Sequence, residues 1–284
     1  MSAGVKLKSG IIVPAIGQGT WKIGDSDYKR EQEIEAIRTG IDNGMMLIDT
    51  AEMYGDGKSE LVVGEAIKVY DRKDIFLVSK VLPENAGRKN MRSSCENSLK
   101  RLGTDYLDLY LYHWRGFIPL AETVECLQKL KDEGLIREWG VSNFSTDDMY
   151  ELGELDLASE CAAVQNLYHI GSRGAEFSLK PYLKKKGIAF MAYCPLAING
   201  SLRDNILNNM VLKEIAEAHK ATVQQIMLAW SIRDNNTIAI PKSSSANHTL
   251  DNSVAMNIKL SNEELYLLDK EFPAPDIEVP LDTQ

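Results

Sequence analysis

The fold of this chain is decided by one stretch, Met45-Met46-Leu47-Ile48-Asp49-Thr50-Ala51-Glu52-Met53-Tyr54-Gly55, in which an apolar run ends abruptly in a polar loop. Apolar residues followed by an aspartate predict a buried strand that closes on a carboxylate. The tyrosine on the loop just beyond can reach the same place. A catalytic site built on this aspartate and tyrosine needs partner side chains from other strands. Its prediction therefore depends on whether other strands of the chain also end in polar residues.

The same order of apolar strand, loop and amphipathic helix recurs along the chain. The predicted strands fall at 15–17, 45–49, 75–80, 106–113, 136–141, 163–166, 188–193 and 237–240. Apolar residues three and four apart predict the intervening helices, including one long helical region at 211–232 and two final helices at 246–256 and 262–270. Short runs at 5–7 and 11–13 around Gly10 predict a β-hairpin ahead of the repeats.

Alternation of strands and helices favours a parallel sheet, and eight units in 284 residues fit a (β/α)8 TIM barrel. We therefore predict an α/β fold with one domain over residues 1–284, an N-terminal hairpin and an additional C-terminal helix. An open doubly wound sheet is the alternative. It is disfavoured because GxGxxG does not follow the first strand, where Gly17-Gln18-Gly19 leads into Thr20-Trp21-Lys22.

Composition narrows the class of protein. The chain is 44% hydrophobic and 26% charged, as in ordinary globular domains, and its net charge of −9 disfavours nucleic-acid binding. The four cysteines lack metal-ligand spacing and predict buried free thiols and no metal site: Cys95, Cys126, Cys161 and Cys194. Without an apolar leader or a long apolar run, we predict a cytoplasmic monomer that does not bind membranes.

Three consecutive predicted strands end in ionisable residues, Asp49, Lys80 and His113. Because side chains alternate along a strand, each shares a face with the apolar residues two and four positions earlier. This pattern is expected of a packed barrel interior with one polar layer at its mouth. Tyr54 can reach that layer from its loop, and active sites of such barrels lie at this end.

This group of side chains can transfer a proton to or from an oxygen. A phenol is a weak acid at neutral pH, and the ammonium of Lys80 is expected to lower the pKa of Tyr54. Asp49 would keep Lys80 charged, and His113 could donate a hydrogen bond that orients a carbonyl. A metal site is the competing interpretation, but Lys80 would repel a cation and neither HxH nor HExxH occurs.

Seven motifs then follow one another along the chain. They are Asp49-Thr50-Ala51-x-x-Tyr54-Gly55, Ser79-Lys80, Leu111-Tyr112-His113-Trp114, Val141-Ser142-Asn143-Phe144, Gln165-Asn166-x-Tyr168, Ala192-Tyr193-Cys194-Pro195-Leu196 and Ile240-Pro241-Lys242-Ser243. Together they resemble the aldo-keto reductases. The short loops after His113 and Pro195 are similar to those of the compact bacterial branch that includes small-aldehyde and methylglyoxal reductases.

The resemblance implies an NADPH-dependent oxidoreductase that reduces aldehydes and activated ketones to alcohols. Tyr54 would be the general acid, assisted by Lys80, Asp49 and His113. The implied substrate pocket is aromatic and formed by Trp21, Tyr54, His113 and Trp114.

The resemblance also implies where NADPH would lie across the barrel mouth. Its carboxamide would contact Ser142, Asn143 and Gln165, and its nicotinamide ring would stack on Tyr193. The 2′-phosphate would meet Lys242 and Ser243, and the adenine would meet Asp251 and Asn252. The remaining implied cofactor positions are Gly19, Thr20, Trp21, Leu196 and His248.

Three positions depart from the family pattern, and one of them is Leu82, which stands where a tryptophan is frequent. His248 stands where many members carry an arginine that clamps the 2′-phosphate, which predicts a preference for NADPH that is not strict and allows NADH use. Asp251 replaces the commoner glutamate and has a shorter reach.

Other functions stay open on the sequence. The same site could work in the oxidative direction, as an NAD(P)-dependent sugar or polyol dehydrogenase. A non-catalytic cofactor-sensing subunit and a crystallin-like structural role are further alternatives, and both are disfavoured by the complete set of four polar residues.

Overall fold

Parallel strands form the centre of the molecule in the computed structural model, which describes residues 4–198 and 200–283. An antiparallel hairpin precedes them, made of β1 (Gly4–Lys6) and β2 (Ile12–Pro14). The parallel strands are β3 (Gln18–Gly19), β4 (Leu47–Asp49), β5 (Phe76–Val81), β6 (Leu107–Tyr112), β7 (Ile136–Ser142), β8 (Cys161–Leu167), β9 (Ala189–Tyr193) and β10 (Thr237–Ile240).

These eight strands lie side by side in chain order, and the first also meets the last. Gly17 N donates to Ala239 O at 2.8 Å, and Gly19 N donates to Pro241 O at 3.0 Å. Ala239 N in turn donates to Ala15 O at 2.8 Å. The sheet therefore closes on itself, which confirms the predicted (β/α)8 barrel and its N-terminal hairpin.

The helices lie outside the strands and follow their order. They are α1 (Arg30–Asp42), α2 (Lys58–Ile67), α3 (Met91–Leu102), α4 (Leu120–Asp132), α5 (Thr146–Gly153), α6 (Leu179–Lys186), α7 (Ser201–Asn208), α8 (Met210–Ala218), α9 (Val223–Ser231), α10 (Ala246–Val254) and α11 (Asn262–Glu271). None of these helices, in the part of the chain that the structure describes, is long and apolar enough to cross a membrane.

The long helical region predicted at 211–232 is wrong, because it is divided into α8 and α9. Lys220, between them, has a φ of 52°, which a continuing right-handed helix does not allow. Thr222 and Gln225 then form a capping box that starts α9. Apolar spacing persists through the break since both helices pack on the same core, so periodicity alone concealed it. The sequence analysis also missed α7.

Two smaller predictions need correction. The first barrel strand lies at Gln18–Gly19 rather than 15–17, because the earlier residues pair with β10 only through single bridges and hydrogen bonds. Two of the four cysteines, Cys126 and Cys194, are half-buried rather than buried, although all four are thiols and not part of disulfides, as predicted. Cys194 is partly exposed because it faces a cavity at the barrel mouth.

The inside of the barrel is apolar below its mouth. One buried cluster combines the inward residues of three neighbouring strands, Met45, Leu47, Phe76, Val78, Leu109 and Leu111. The hairpin adds Val5, Leu7 and Val13 to the same cluster, so it closes the floor of the barrel. The predicted inward alternation is thus confirmed, and Asp49 stands one inward position above Leu47, at the open end.

Close strand packing near the mouth makes Gly140 sensitive to substitution. A Cβ at this β7 position would lie 2.3 Å from Ala163 O, a backbone atom that cannot move independently. We expect Gly140→Ala to lower the free energy of unfolding by about 2 kcal/mol or more. Gly153→Ala is the matched control: its Cβ meets only the Tyr182 hydroxyl, and alanine favours helix by up to about 1 kcal/mol. An equal decrease in the free energy of unfolding of both variants, measured by denaturant unfolding, would contradict this.

Candidate active site

Three adjacent strands bring the predicted polar residues to one end of the barrel. Asp49 is the last residue of β4, Lys80 lies near the end of β5, and His113 directly follows β6. Asp49 pairs in register with Val78, so Lys80 projects inward two residues beyond it. Tyr54 lies on the turns that connect β4 to α2. The structure therefore brings together all four residues singled out from the sequence.

Lys80 is fully buried and has three polar partners. Its Nζ donates to Asp49 Oδ2 at 2.6 Å, to Thr50 O at 2.9 Å and to Tyr54 Oη at 3.2 Å. A lysine ammonium has three protons and no acceptor, so these contacts account for its whole donor capacity. The hydroxyl of Tyr54 consequently accepts from Lys80, and its own proton is left for another acceptor.

The pKa of Tyr54 differs from the sequence prediction. Burial raises it above the ordinary value, and the positive charge of Lys80 counteracts this only in part. The prediction of a lowered pKa is therefore wrong for this structure, because loss of hydration penalises the phenolate more than the ammonium favours it. Tyr54 is a protonated phenol at neutral pH.

His113 is a neutral imidazole in this setting. Burial, and secondarily the nearby charge of Lys80, lower its pKa to about 2. The ring centroids of His113 and Tyr54 are 5.8 Å apart, and those of His113 and Trp114 are 4.6 Å apart. Among the described residues, no group hydrogen-bonds to the buried His113 Nδ1. His113 can act as a hydrogen-bond donor but does not hold an extra proton near pH 7.

A cavity of about 220 Å³ opens above these residues. Its walls are formed by Gly19, Thr20, Trp21, Asp49, Met53, Tyr54, His113, Trp114, Ser142, Asn143, Gln165, Tyr193, Cys194, Ile240 and Lys242. The sequence analysis missed Met53, Cys194 and Ile240, although each lies next to or within a motif that it quoted. Lys80 reaches the cavity only through its contacts with Asp49 and Tyr54. Within the described residues, no cluster of histidine, cysteine or carboxylate side chains could hold a metal ion.

The polar wall of this cavity is already hydrogen-bonded. Gln165 Nε2 donates to Asp49 Oδ1 at 2.7 Å. The hydroxyl of Tyr193 donates to Asn143 Oδ1 at 2.8 Å, and Asn143 Nδ2 donates to His113 O at 3.1 Å. Asn143 has a φ of 57°, a conformation that asparagine tolerates better than most residues. These hydrogen bonds hold the polar side chains of the wall against one another.

A second cavity of about 350 Å³ adjoins the first, and Lys242 lines both. It is lined by Leu196, Arg203, Thr222, Gln224, Gln225, Lys242, Ser243, Ser244, His248, Asp251 and Asn252. Six of these residues were singled out from the sequence. The other five were missed: Ser244, which adjoins Ser243, and Arg203 with the three residues from the start of α9, because α7 and the break before α9 were not recognised.

The second cavity suits an anion. Ser245 precedes α10 without capping it through its side chain, and the first turn of a helix offers unpaired N–H groups and a positive dipole end. Partial burial lowers the pKa of Lys242; the charges of Lys29 and Lys22 act in the same direction, and those of Glu33 and Asp25 oppose it. A phosphate beside Lys242 would favour its charged form.

Comparison with known proteins identifies the family. Residues 15–271 match the family model described as the aldo/keto reductase family. The chain belongs to the aldo/keto reductase family. This membership confirms the likeness drawn from the seven motifs.

Individual family members resemble the chain over nearly its whole length. Methylglyoxal reductase YeaE of Escherichia coli (strain K12) is 47% identical, over 98% of both chains. Glyoxal reductase of Bacillus subtilis (strain 168) is 34% identical, over 93% of this chain and 91% of that protein. A crystal structure of an aldo/keto reductase from Klebsiella pneumoniae, in complex with NADP and acetate, is 48% identical and covers 100% of both chains, with a TM-score of 0.97.

The buried neutral imidazole makes stability depend on pH. Unfolded His113 takes up a proton below its ordinary pKa of 6.5, whereas the folded state does so only near 2. Between these values the unfolded state binds more protons, so stability falls as pH falls. When the pH falls from about 7.5 to about 5, the free energy of unfolding should decrease in the native protein by about 2 kcal/mol more than in His113→Asn. Urea titrations that give parallel pH profiles would contradict this expectation.

Proposed function

We propose that this protein reduces small aldehydes and activated ketones to alcohols with NADPH, and that Tyr54 is the proton donor. The observation that carries the proposal is the set of contacts at Lys80. All three of its protons are directed to Asp49, Thr50 and Tyr54, so Lys80 has none to offer a substrate. His113 is neutral, so the phenolic proton of Tyr54 is the available acid among these four residues.

The cavities fit an extended dinucleotide. They are two compartments joined at Lys242, one with aromatic and amide groups and one with a cationic rim. A Cβ at Gly19 would lie 2.7 Å from Ile240 O, so glycine keeps the backbone of this wall open. The NADP complex of the Klebsiella relative supports the same assignment.

Each proposed cofactor residue has a place in this arrangement. The carboxamide would contact Ser142, Asn143 and Gln165, beside the ring of Tyr193. Leu196, Lys242, Ser243, His248, Asp251 and Asn252 would surround the adenosine phosphate end, and Gly19, Thr20 and Trp21 would line the passage between the compartments. NADPH is preferred because Lys242 and the first turn of α10 favour a phosphate, while His248 in place of arginine leaves NADH usable.

The reduction needs a hydride and a proton. Bound NADPH supplies the hydride that reaches the carbonyl carbon. His113 donates a hydrogen bond that orients the carbonyl oxygen, and Tyr54 transfers its proton to that oxygen as the alcohol forms. Lys80 then stabilises the phenolate, Asp49 holds Lys80 in place, and solvent returns a proton to Tyr54.

The protonated state of Tyr54 at neutral pH favours the reductive direction over the oxidative alternative. A protonated phenol is ready to donate, whereas alcohol oxidation needs the phenolate as a base. The cavity of about 220 Å³ would be shared by the nicotinamide and the substrate, which favours a short carbonyl compound between Trp21 and Trp114. The glyoxal and methylglyoxal reductases among its relatives favour an α-oxoaldehyde.

We also propose the simplest organisation for this enzyme. Residues 1–284 would act as one domain, and the protein would be a cytoplasmic monomer. The net charge of −9 supports a freely diffusing protein without nucleic-acid partners.

Replacement of the proposed acid tests the mechanism. We expect Tyr54→Phe to lower kcat for aldehyde reduction by about 10²- to 10⁴-fold, because only the proton donor is removed. The dissociation constant for NADPH, measured by fluorescence titration, should change little. Tyr70→Phe removes a partly exposed phenol between α2 and α3 and serves as the control. Native turnover in Tyr54→Phe would exclude Tyr54 as the acid.

Replacement of the shared lysine tests the preference for NADPH. We expect Lys242→Met to raise the dissociation constant for NADPH by about 10-fold or more, because a charge-assisted contact to phosphate is lost. The constant for NADH should change by less than about threefold, since NADH lacks the 2′-phosphate. Lys213→Met, on the exposed side of α8, is the control. An equal increase in both dissociation constants would mean that Lys242 contacts a part of the dinucleotide other than the 2′-phosphate.

A further inference from the structure

The carboxylate of Asp49 has two separate partners. Its Oδ2 accepts from Lys80 Nζ at 2.6 Å, and its Oδ1 accepts from Gln165 Nε2 at 2.7 Å. Asp49 and Gln165 are each only 1% exposed. An ionised carboxylate can only accept hydrogen bonds, so the amide of Gln165 must turn its nitrogen toward Asp49 and its oxygen away.

The contact between Gln165 and Asp49 spans the barrel. Asp49 lies on β4 and Gln165 on β8, the second and sixth of the eight barrel strands, so they stand opposite each other across the interior. The two residues are 116 positions apart in the chain. From the opposite wall, Gln165 thus holds Asp49 Oδ1, the carboxylate oxygen that does not bond to Lys80.

We propose that Gln165 is a positioning residue for the proton donor, because its bond across the barrel orients the Asp49 carboxylate that holds Lys80 against Tyr54. This role rests on the proposed function and adds to the contact of Gln165 with the carboxamide. Without the amide nitrogen, the Asp49 carboxylate can rotate away from Lys80. The contact between Lys80 Nζ and Tyr54 Oη is already 3.2 Å long, so a small displacement of the ammonium weakens it further.

Gln165→Glu separates this role from cofactor binding. The introduced carboxyl group, when protonated, still donates a hydrogen bond to Asp49, whereas the ionised form repels it. Two neighbouring carboxyl groups share one proton, whose pKa is raised. An acceptor oxygen for the carboxamide is present in both states. A role in cofactor binding alone therefore predicts no new pH dependence, and the positioning role predicts loss of turnover as pH rises.

The experiment measures kcat and the NADPH dissociation constant between about pH 5 and about pH 9. We expect kcat of Gln165→Glu to be highest at low pH and to fall about tenfold per unit above the shared ionisation. Gln165→Met, which cannot donate at any pH, should lower kcat by about tenfold or more across the whole range. The NADPH constant of Gln165→Glu, whatever its absolute value, should not follow the fall of kcat with pH.

Gln128→Glu is the matched control. Gln128 Nε2 also donates to an aspartate, Asp132 Oδ1, at 2.8 Å, but on α4 outside the barrel, and a glutamate keeps the oxygen that accepts from Trp139 Nε1 at 3.1 Å. Its kcat profile should follow the native one. A Gln165→Glu profile parallel to the native profile, or native kcat in Gln165→Met, would overturn the positioning role. Circular dichroism identifies any variant that does not fold. If Gln165→Glu does not fold, the kcat of Gln165→Met tests the positioning role instead.

Failure of this inference is distinguishable from failure of the proposed function. If Tyr54→Phe loses turnover while Gln165→Glu keeps the native pH profile, Tyr54 remains the acid and only the role of Gln165 is overturned. If Tyr54→Phe keeps turnover, Tyr54 is not the acid and the proposed mechanism fails; if the native protein reduces no aldehyde with NADPH, the proposed function itself fails.

Discussion

The buried ion pair between Lys80 and Asp49 is the interaction on which the site depends. Removing either charge from water costs several kcal/mol, about as much as the pair recovers by Coulomb attraction. The pair is therefore stable only with ideal geometry and no unpaired proton. The backbone oxygen of Thr50, the phenol of Tyr54 and the amide of Gln165 complete that geometry. Strands and loops that are distant in the chain supply these groups, so the closed barrel is a condition for the site.

Competition between burial and charge determines the protonation of the site. Lys80 draws the pKa of Tyr54 downward, yet burial of the phenol has the larger effect and raises it. At His113 both effects act in the same direction, lowering the pKa and keeping the imidazole neutral. The result is one available acid beside one neutral hydrogen-bond donor. This division follows from the depth of the site, which residue types alone do not report.

Sequence reasoning was most successful where a physical pattern repeats. Inward alternation placed Leu47, Val78 and Leu111 below the polar layer, and all three are buried in one cluster. It failed between α8 and α9, because the apolar spacing continues from one helix to the next and the capping box at Thr222 was not recognised as a helix start. Arg203 was missed for a different reason, since its helix α7 is only 8 residues long and its place at the second cavity depends on distant segments.

The sequence by itself determined the repeating strand and helix order, the family, and the four polar residues at three strand ends, because these follow from local spacing and motif identity. Only the tertiary structure decided how those residues bond to one another. The contact of Gln165 with Asp49 joins positions 116 residues apart, and the burial that keeps Tyr54 protonated comes from many segments at once. Hydrogen-bond geometry and loss of hydration are properties of the assembled barrel, so the stretch from Asp49 to Tyr54 acquires its chemistry only there.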